Sequence, residues 1–373
     1  MLRDGFRMIF GAARRLRKHA KAAINRRTPK NASLVSGLGR SPPLSLSPPL
    51  PLFFFLAWAI AGVVFAGEPS ATPVYRGKTV TQWAGELSDS NFWARWYATY
   101  ALGRIGPDAA NAVPALQRVL ANLDEEEYVR GGAAWALGRI GPKAASAMPL
   151  LIRTLTSKHV SVRRNVAEAL GNLAAAGEKQ GARAAVSNLV KLLQDEDPAV
   201  RVSAAVALWR IQRHPKSIPA LESMLRNRDG STAYLAAVAL GDLGAQAERA
   251  VPGLVAAVGH SDDDTRRAAA YSLGRIGAIA IPAIRGALAH GDDRTKCQAV
   301  EALGWIGPAA VGPLIDALVN PNPPTRRSAA RALGRLGAAA KEAEPALVKA
   351  VNDPQAEVRD AAAEALRQIR SPT

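Results

Sequence analysis

The sequence predicts an all-α fold, a right-handed α-solenoid of about nine stacked helix-turn-helix units. Three observations predict it. The phrase ALGRIGP occurs at 101–107 and again at 136–142, with close copies at 272–278 and 332–338. Its Leu recurs at Leu102, Leu137, Leu170, Leu208, Leu240, Leu273, Leu303, Leu333 and Leu366, at spacings of 30 to 38 residues. Small apolar residues surround each copy at helical spacing. A period in the low thirties marks stacked repeats, in which no unit buries its apolar face alone.

The first helix of each unit reads position by position. Four residues before the Leu stand Ala98, Ala133, Ala204, Ala236, Ala269, Ala299, Ala329 and Ala362, with Val166 the exception. Ala also precedes the Leu in every copy but Ser272. These i, i+3, i+4 positions make one small, apolar face on which helices can approach closely. Seven residues before the Leu stands a base: Arg95, Arg130, Arg163, Arg201, Arg266, Lys296, Arg326 and Arg359, broken by Ala233. Asp197, Asp229, Asp262 and Asp292 stand eleven before it, where a helix starts; Asp197-Pro198 reads as an N-cap followed by Pro at the first helical position. The Arg and Asp series are expected to pair along the stack rather than to bind a ligand.

Glycine then ends the helix. Gly103 and Gly138 fall in the last turn, where a missing side chain permits close packing. Gly106 and Gly141 are placed as left-handed terminators with Pro just beyond. This Gly-x-x-Gly spacing is no phosphate cradle, which needs helix N-termini aimed at the ligand. A second helix opens at Pro114, Pro149, Pro219, Pro252, Pro282 and Pro345, since proline loses no hydrogen bond at a helix start. Each unit is thus helix, Gly turn, helix, polar turn. The segment 79–89 (TVTQWAGELSD), with Trp83 and Leu87 one turn apart, is expected to cap the first unit. The segment 355–371 supplies a closing helix, and AAAGEKQGA (174–182) makes the longest loop.

Two stretches, EDPAVRVSAAVALWRI…IPALESMLRNRD (196–229) and DDTRRAAAYSLGRIG…IPAIRGALAHGD (263–292), resemble HEAT repeats, in particular the short HEAT-like type named after phycobilisome lyases. The resemblance covers about 90–373. It implies a solenoid whose second helices line a concave side, and it is nearly silent on function, because such repeats serve unrelated roles. Two rival roles come with it: a subunit attaching bilin chromophores, and weak nucleic-acid binding of the kind shown by a HEAT-like DNA glycosylase family.

The formal charge of +17 is unevenly spread. Residues 1–50 hold eleven Lys/Arg against Asp4 alone, a net of +10; the rest carries 37 bases and 30 acids, a net of +7. A basic, Ser/Pro-rich segment over 1–50 is therefore expected to lack regular structure. The uncharged run at 51–67 (LFFFLAWAIAGVVFA at its centre) is expected to be a secretory signal or a membrane anchor. Residues 68–78 read as a linker and 79–373 as the solenoid. The expected location is extracytoplasmic, periplasmic or secreted, or membrane-anchored through 51–67. Nucleic acid is disfavoured as a partner by the modest charge of the body.

Chemistry is sparse. The single cysteine, Cys297, excludes an intramolecular disulfide framework and any multi-cysteine metal site, and it reads as an inert, partly exposed thiol. His260 and His290 precede acids but lie one repeat apart, too far to complete a zinc site, so turn capping is the expected role. His159 and His214 have no evident partner. Trp93, Trp96, Tyr100 and Trp135 are expected to fill a thick N-terminal packing layer. No catalytic constellation, cofactor or small-molecule substrate is indicated. One pattern points outward. Two residues before the closing apolar position of each second helix the series runs Arg118, Arg153, Lys191, Ser223, Ala256, Gly286, Asp316, Lys349. The basic run Arg118, Arg153, Lys191 is the expected binding site for another protein, an acidic one, on the concave face of a non-catalytic scaffold.

Overall fold

A computed structural model describes residues 74–371. The expected disorder of 1–50 and the signal or anchor at 51–67 lie outside the described residues. The segment expected as a linker is, in its second half, a hairpin: β1 (Val74–Tyr75) pairs antiparallel with β2 (Lys78–Thr79). Arg76 and Gly77 both take positive φ, which suits a two-residue turn matched to the twist of the strands. Thr79 then caps α1 (Val80–Glu86) in a capping box with Gln82. Trp83 of α1 is buried, donates its indole N–H to the Tyr75 carbonyl at 3.0 Å and packs on Tyr97. Hairpin and α1 together cover the first repeat.

Eight helical pairs and a ninth first helix follow among the described residues. The first helices are α2 (Phe92–Ile105), α4 (Glu127–Ile140), α6 (Val160–Ala175), α9 (Pro198–Gln212), α11 (Gly230–Leu243), α13 (Asp263–Ile276), α15 (Asp293–Ile306), α17 (Pro323–Leu336) and α19 (Ala356–Arg370). The second helices are α3 (Val113–Ala121), α5 (Met148–Thr154), α8 (Val186–Leu192), α10 (Ser217–Leu225), α12 (Val251–Ala257), α14 (Ile281–His290), α16 (Val311–Ala317) and α18 (Glu344–Ala350). First helices pack on one another in sequence, and each second helix packs on the first helix of the next unit. All nine repeat leucines are buried, as are the alanines beside them. The loop expected at 174–182 holds a further helical turn, α7 (Lys179–Ala182).

The Gly turn departs from expectation in two ways. Gly106 and Gly141 have φ of 72° and 73° but ψ of −134° and −144°, a region open to glycine alone rather than the left-handed helical basin. The chain then runs through a 3-10 segment, Gly106–Ala112 or Gly141–Ala147, before the second helix starts. Proline follows as the second helical residue of α3, α5, α12, α14 and α18, and as the third of α10.

The other glycine, next to the repeat Leu, sets the spacing of the stack. A Cβ on Gly138 would lie 2.5 Å from the Cα of Ala169 in the next first helix; on Gly334 it would lie 2.9 Å from the Cα of Ala365. Seven copies keep this Gly. Trp209 and Arg367 replace it, and Arg367 sits on α19, after which no further first helix is described. Behind Trp209 the stack loosens: α9 and α11 touch far less than any other consecutive first helices. The indole donates across this seam to Gln246 Oε1 at 2.9 Å. α9 also ends differently, on Arg213 in the left-handed conformation (φ 50°, ψ 45°) in place of glycine.

Candidate interaction surfaces

The two charged series of the sequence separate cleanly in three dimensions. The Arg series of the first helices is structural. Arg163 donates through Nη1 to the carbonyls of Ser157 and Lys158, both at 3.0 Å. It meets Asp195 of the next turn through Nε at 2.7 Å and Nη2 at 2.9 Å. Arg326 does the same with Asn320, Pro321 and Asp353, and Arg95 with Asp89, Ser90 and Glu125. One guanidinium thus ties the turn that enters its own helix to the turn of the next unit, a use that its fixed fork of donors permits. Arg326 holds the Asp353 carboxyl below the usual carboxylate range. Burial alone would raise Asp195, but its hydrogen bonds, led by that from Arg163, set it lower.

The pairing partners differ from expectation. Asp197, Asp229, Asp262 and Asp292 do not take the arginines of the preceding unit in these staples; each caps its own helix, with Asp197 Oδ1 accepting from Val200 N at 3.0 Å and Asp292 Oδ1 from Thr295 N at 2.7 Å. The acids that receive Arg163 and Arg326 stand two residues earlier, at the start of the turn, where the guanidinium of the neighbouring unit arrives.

The expected binding residues behave oppositely. Arg118 lies on α3, Arg153 on α5 and Lys191 on α8, on successive second helices. Each stands two positions before a buried closing leucine (Leu120, Leu155, Leu193), about 200° away around the helix. All three are exposed, and their charged groups bond to no other residue among those described. The same column stays exposed through Ser223, Ala256, Gly286, Asp316 and Lys349. Its only acid, Asp316, is met by Arg285 at 2.9 Å. Three of the column's four free cations therefore stand at its N-terminal end, and Lys349 stands at the other.

The aromatic cluster is only partly a packing layer. Tyr100 lies between near-parallel Trp96 and Trp135 rings, at 6.4 and 5.8 Å, and the Trp135 ring occupies the space that a side chain on Gly103 would need. Trp93, however, is 68% exposed, and Trp96 is 37% exposed. Beside them a 390 Å³ hollow holds Glu168, which burial raises above the usual carboxylate range although Arg164, Arg210 and Arg139 pull it back.

Among the described histidines, His159, His214 and His260 bond at turns, while His290, expected to cap a turn, ends α14 with its ring bonded to no other described residue. Asp262 N donates to His260 Nδ1 at 3.0 Å, leaving Nε2–H to reach the Asn227 carbonyl at 3.0 Å; this capping is the expected role. His214 Nδ1 accepts from Lys216 N, and His159 meets Glu127 at 2.7 Å, a contact absent from the sequence reading. Cys297 is half-buried, with Sγ 3.8 Å from Thr325 Oγ1. Among the described residues no group of three or more His, Cys, Asp or Glu side chains gathers as a metal site, and no single helix is long and apolar enough to cross a membrane.

Stacked helical pairs of this period, tied by inter-unit arginines, define an α-solenoid. A family model for HEAT repeats matches residues 80–171, 148–241, 251–318 and 311–373, and the chain belongs to that family. No curated protein matches the chain. Among solved structures it is similar to human deoxyhypusine hydroxylase in complex with glycerol, with 21% identity over 78% of this chain and 95% of that one, at a TM-score of 0.31. It is also similar to a chain from the structure of Kap95p with RanGDP, with 12% identity over 78% of this chain and a TM-score of 0.50. The match covers 44% of that longer chain. At such identity the second likeness shows the fold alone, and the first carries no argument.

Proposed function

We propose that the chain is a non-catalytic scaffold that binds an acidic protein along its second helices through Arg118, Arg153 and Lys191. The observation that carries the reading is the contrast between two sets of cations. Arg95, Arg163 and Arg326 of the first helices are each tied to carbonyls and a carboxylate, whereas three cations on consecutive second helices are exposed and unengaged. Solvated charges of one sign in a row steer an oppositely charged partner, and a preformed helical stack adds little ordering cost on the scaffold side. Charge reversal tests it: Arg118→Glu, Arg153→Glu and Lys191→Glu together abolish crosslinking of the acidic partner in the native cell extract while the circular dichroism spectrum and melting temperature stay put. Unchanged crosslinking overturns the reading.

The same proposal places the solenoid outside the cytoplasm, with 51–67 as a signal or an anchor, on the apolar run and its basic flank. N-terminal sequencing of the mature protein, paired with fractionation, checks this. A start near Gly67, or retention of 51–67 in a membrane fraction, supports it; the intact N-terminus in the soluble cytoplasm overturns it.

A further inference from the structure

The seam behind Trp209 holds a second cleft. Where Gly138, Gly171, Gly304 and Gly334 each meet an Ala of the next first helix, Trp209 stands between α9 and α11 beside a 560 Å³ cleft. That volume lies within the range of ligand sites, roughly 300–1,000 Å³. Lys179 of α7, Arg183 just after it, and Arg210 and Arg213 at the end of α9 line it. Trp209 and Leu243 supply an apolar wall, and Gln246 holds the indole.

The charge is unbalanced. Arg210 is anchored to Asn172 Oδ1 at 2.6 Å and also acts on the Glu168 carboxyl, which does not line the cleft, and Arg183 bonds to Gln180 Oε1 at 3.2 Å. Lys179 and Arg213 are exposed and bond through their side chains to no other residue among those described. The one lining acid, Asp242, faces Arg275 at 3.7 Å. Two helices end here, each end equivalent to about −0.5 charge, and four cations outweigh both ends and Asp242 together. Arg213 holds its place in a backbone conformation that glycine usually takes at a helix end, which keeps one more cation at the rim.

The ends of α9 and α11 also decide what kind of anion fits. The seam meets the carbonyl ends of both helices, where Leu208 and Trp209 already accept from Arg213 N and Gly241 from Arg275 Nε, whereas phosphate cradles need N–H donors there instead. A peptide brings carboxylates for the cations at the rim. A bare ion would leave the wall of Trp209 and Leu243 wet. We propose that this cleft binds a short acidic segment of polypeptide lying across the α9/α11 seam, a site separate from the second-helix cations and not dependent on them.

The test uses the full chain and a short fluorescein-labelled Asp/Glu-rich peptide, read by fluorescence anisotropy. Lys179→Glu with Arg213→Glu removes two cations that hold nothing else, so the fold persists, as the melting temperature checks, and affinity falls about tenfold or more. Trp209→Gly, which lets α11 close on α9, lowers it as well in a protein that still melts cooperatively. The Arg118/Arg153/Lys191 triple reversal leaves the loss caused by Lys179→Glu with Arg213→Glu intact. Three results overturn the proposal: affinity unchanged in the cleft variants, peptide binding lost in the triple reversal alone, or displacement of the peptide by equimolar inorganic phosphate or duplex DNA. The second result leaves the second-helix reading standing, so failures of the two are distinguishable.

Discussion

Arg163 and Asp195 lie in different repeats, 32 residues apart, yet their side chains meet through two hydrogen bonds of 2.7 and 2.9 Å, both nearly buried. Arg326 and Asp353 repeat the arrangement near the other end of the stack. Helical surfaces of Ala and Leu can slide; a forked donor seated on two fixed carbonyls and one carboxylate sets the register between units.

Removing one partner should therefore cost more than a surface ion pair does. Asp353→Asn leaves the Arg326 guanidinium half-satisfied, and stability falls by about 2 kcal/mol in urea unfolding, the scale of a hydrogen bond to a charged group. Arg285→Ala is the contrast. Its pair with Asp316 is exposed on both sides, and it should change stability by less than about 1 kcal/mol.

Acid should act through the same carboxyls. Asp195 and Asp353 titrate lower in the folded chain than the usual value of about 3.9. For a depressed carboxyl the stabilisation is complete above the unfolded value and disappears as pH falls through the folded one. The melting temperature should hold down to about pH 4 and then drop. In Asp353→Asn the drop should be shallower, because part of what acid removes is already gone.

Glu168 has the opposite sign. Burial raises it, so the folded state holds a proton that the unfolded chain releases, and stability declines as pH climbs from about 4.3 through the folded value. Glu168→Gln should melt higher than the wild type at pH 7 and level with it at about pH 4. A lower melting temperature at pH 7 would show that Arg164, Arg210 and Arg139 outweigh the burial.

Two glycines separate packing from propensity. Ala gains about 1 kcal/mol over Gly inside a helix, whereas overpacking a tight contact costs about 1–3 kcal/mol. Gly286 in α14 faces open space, so Gly286→Ala should stabilise by about 1 kcal/mol. At Gly138 the added methyl meets the backbone of Ala169, and Gly138→Ala should destabilise despite the better propensity. Equal effects at the two sites would mean that the Gly column is not what spaces the stack.

The period of Leu, Ala and Gly made the solenoid legible because each unit solves the same packing problem with the same residues. The ladder of Arg118, Arg153 and Lys191 was legible as exposed positions for the reason that helical spacing fixes which side faces water. What stayed hidden depended on neighbours in space. The hairpin at 74–79 has strands too short to show alternation. The acids that receive Arg163 and Arg326 sit outside the Asp column, in turns whose path the spacing does not set. Trp93 looked like core because aromatic composition says nothing of which way a ring turns. The seam did have a signal, Trp209 standing in a column of glycines, and its consequence needed the Gly–Ala contact to be seen first.

That substitution predicts how the stack comes apart. Between α4 and α6 the glycine contact, Gly138 on Ala169, is intact, and between α6 and α9 Gly171 meets Ala207. Between α9 and α11 no such contact exists, and Arg201 reaches only the carbonyls of Asp195 and Glu196 in its own turn. Repeat stability is close to a sum of unit and interface terms, so the weakest interface is where a fluctuation divides the array. Hydrogen exchange read by mass spectrometry should show the last turn of α9 and the facing side of α11 exchanging faster than α4 and α6. Trp209→Gly should restore protection there by letting α11 approach as its counterparts do. Equal protection on both sides of the seam in the wild type would mean that the indole and its bond to Gln246 brace the gap as firmly as a glycine contact closes it.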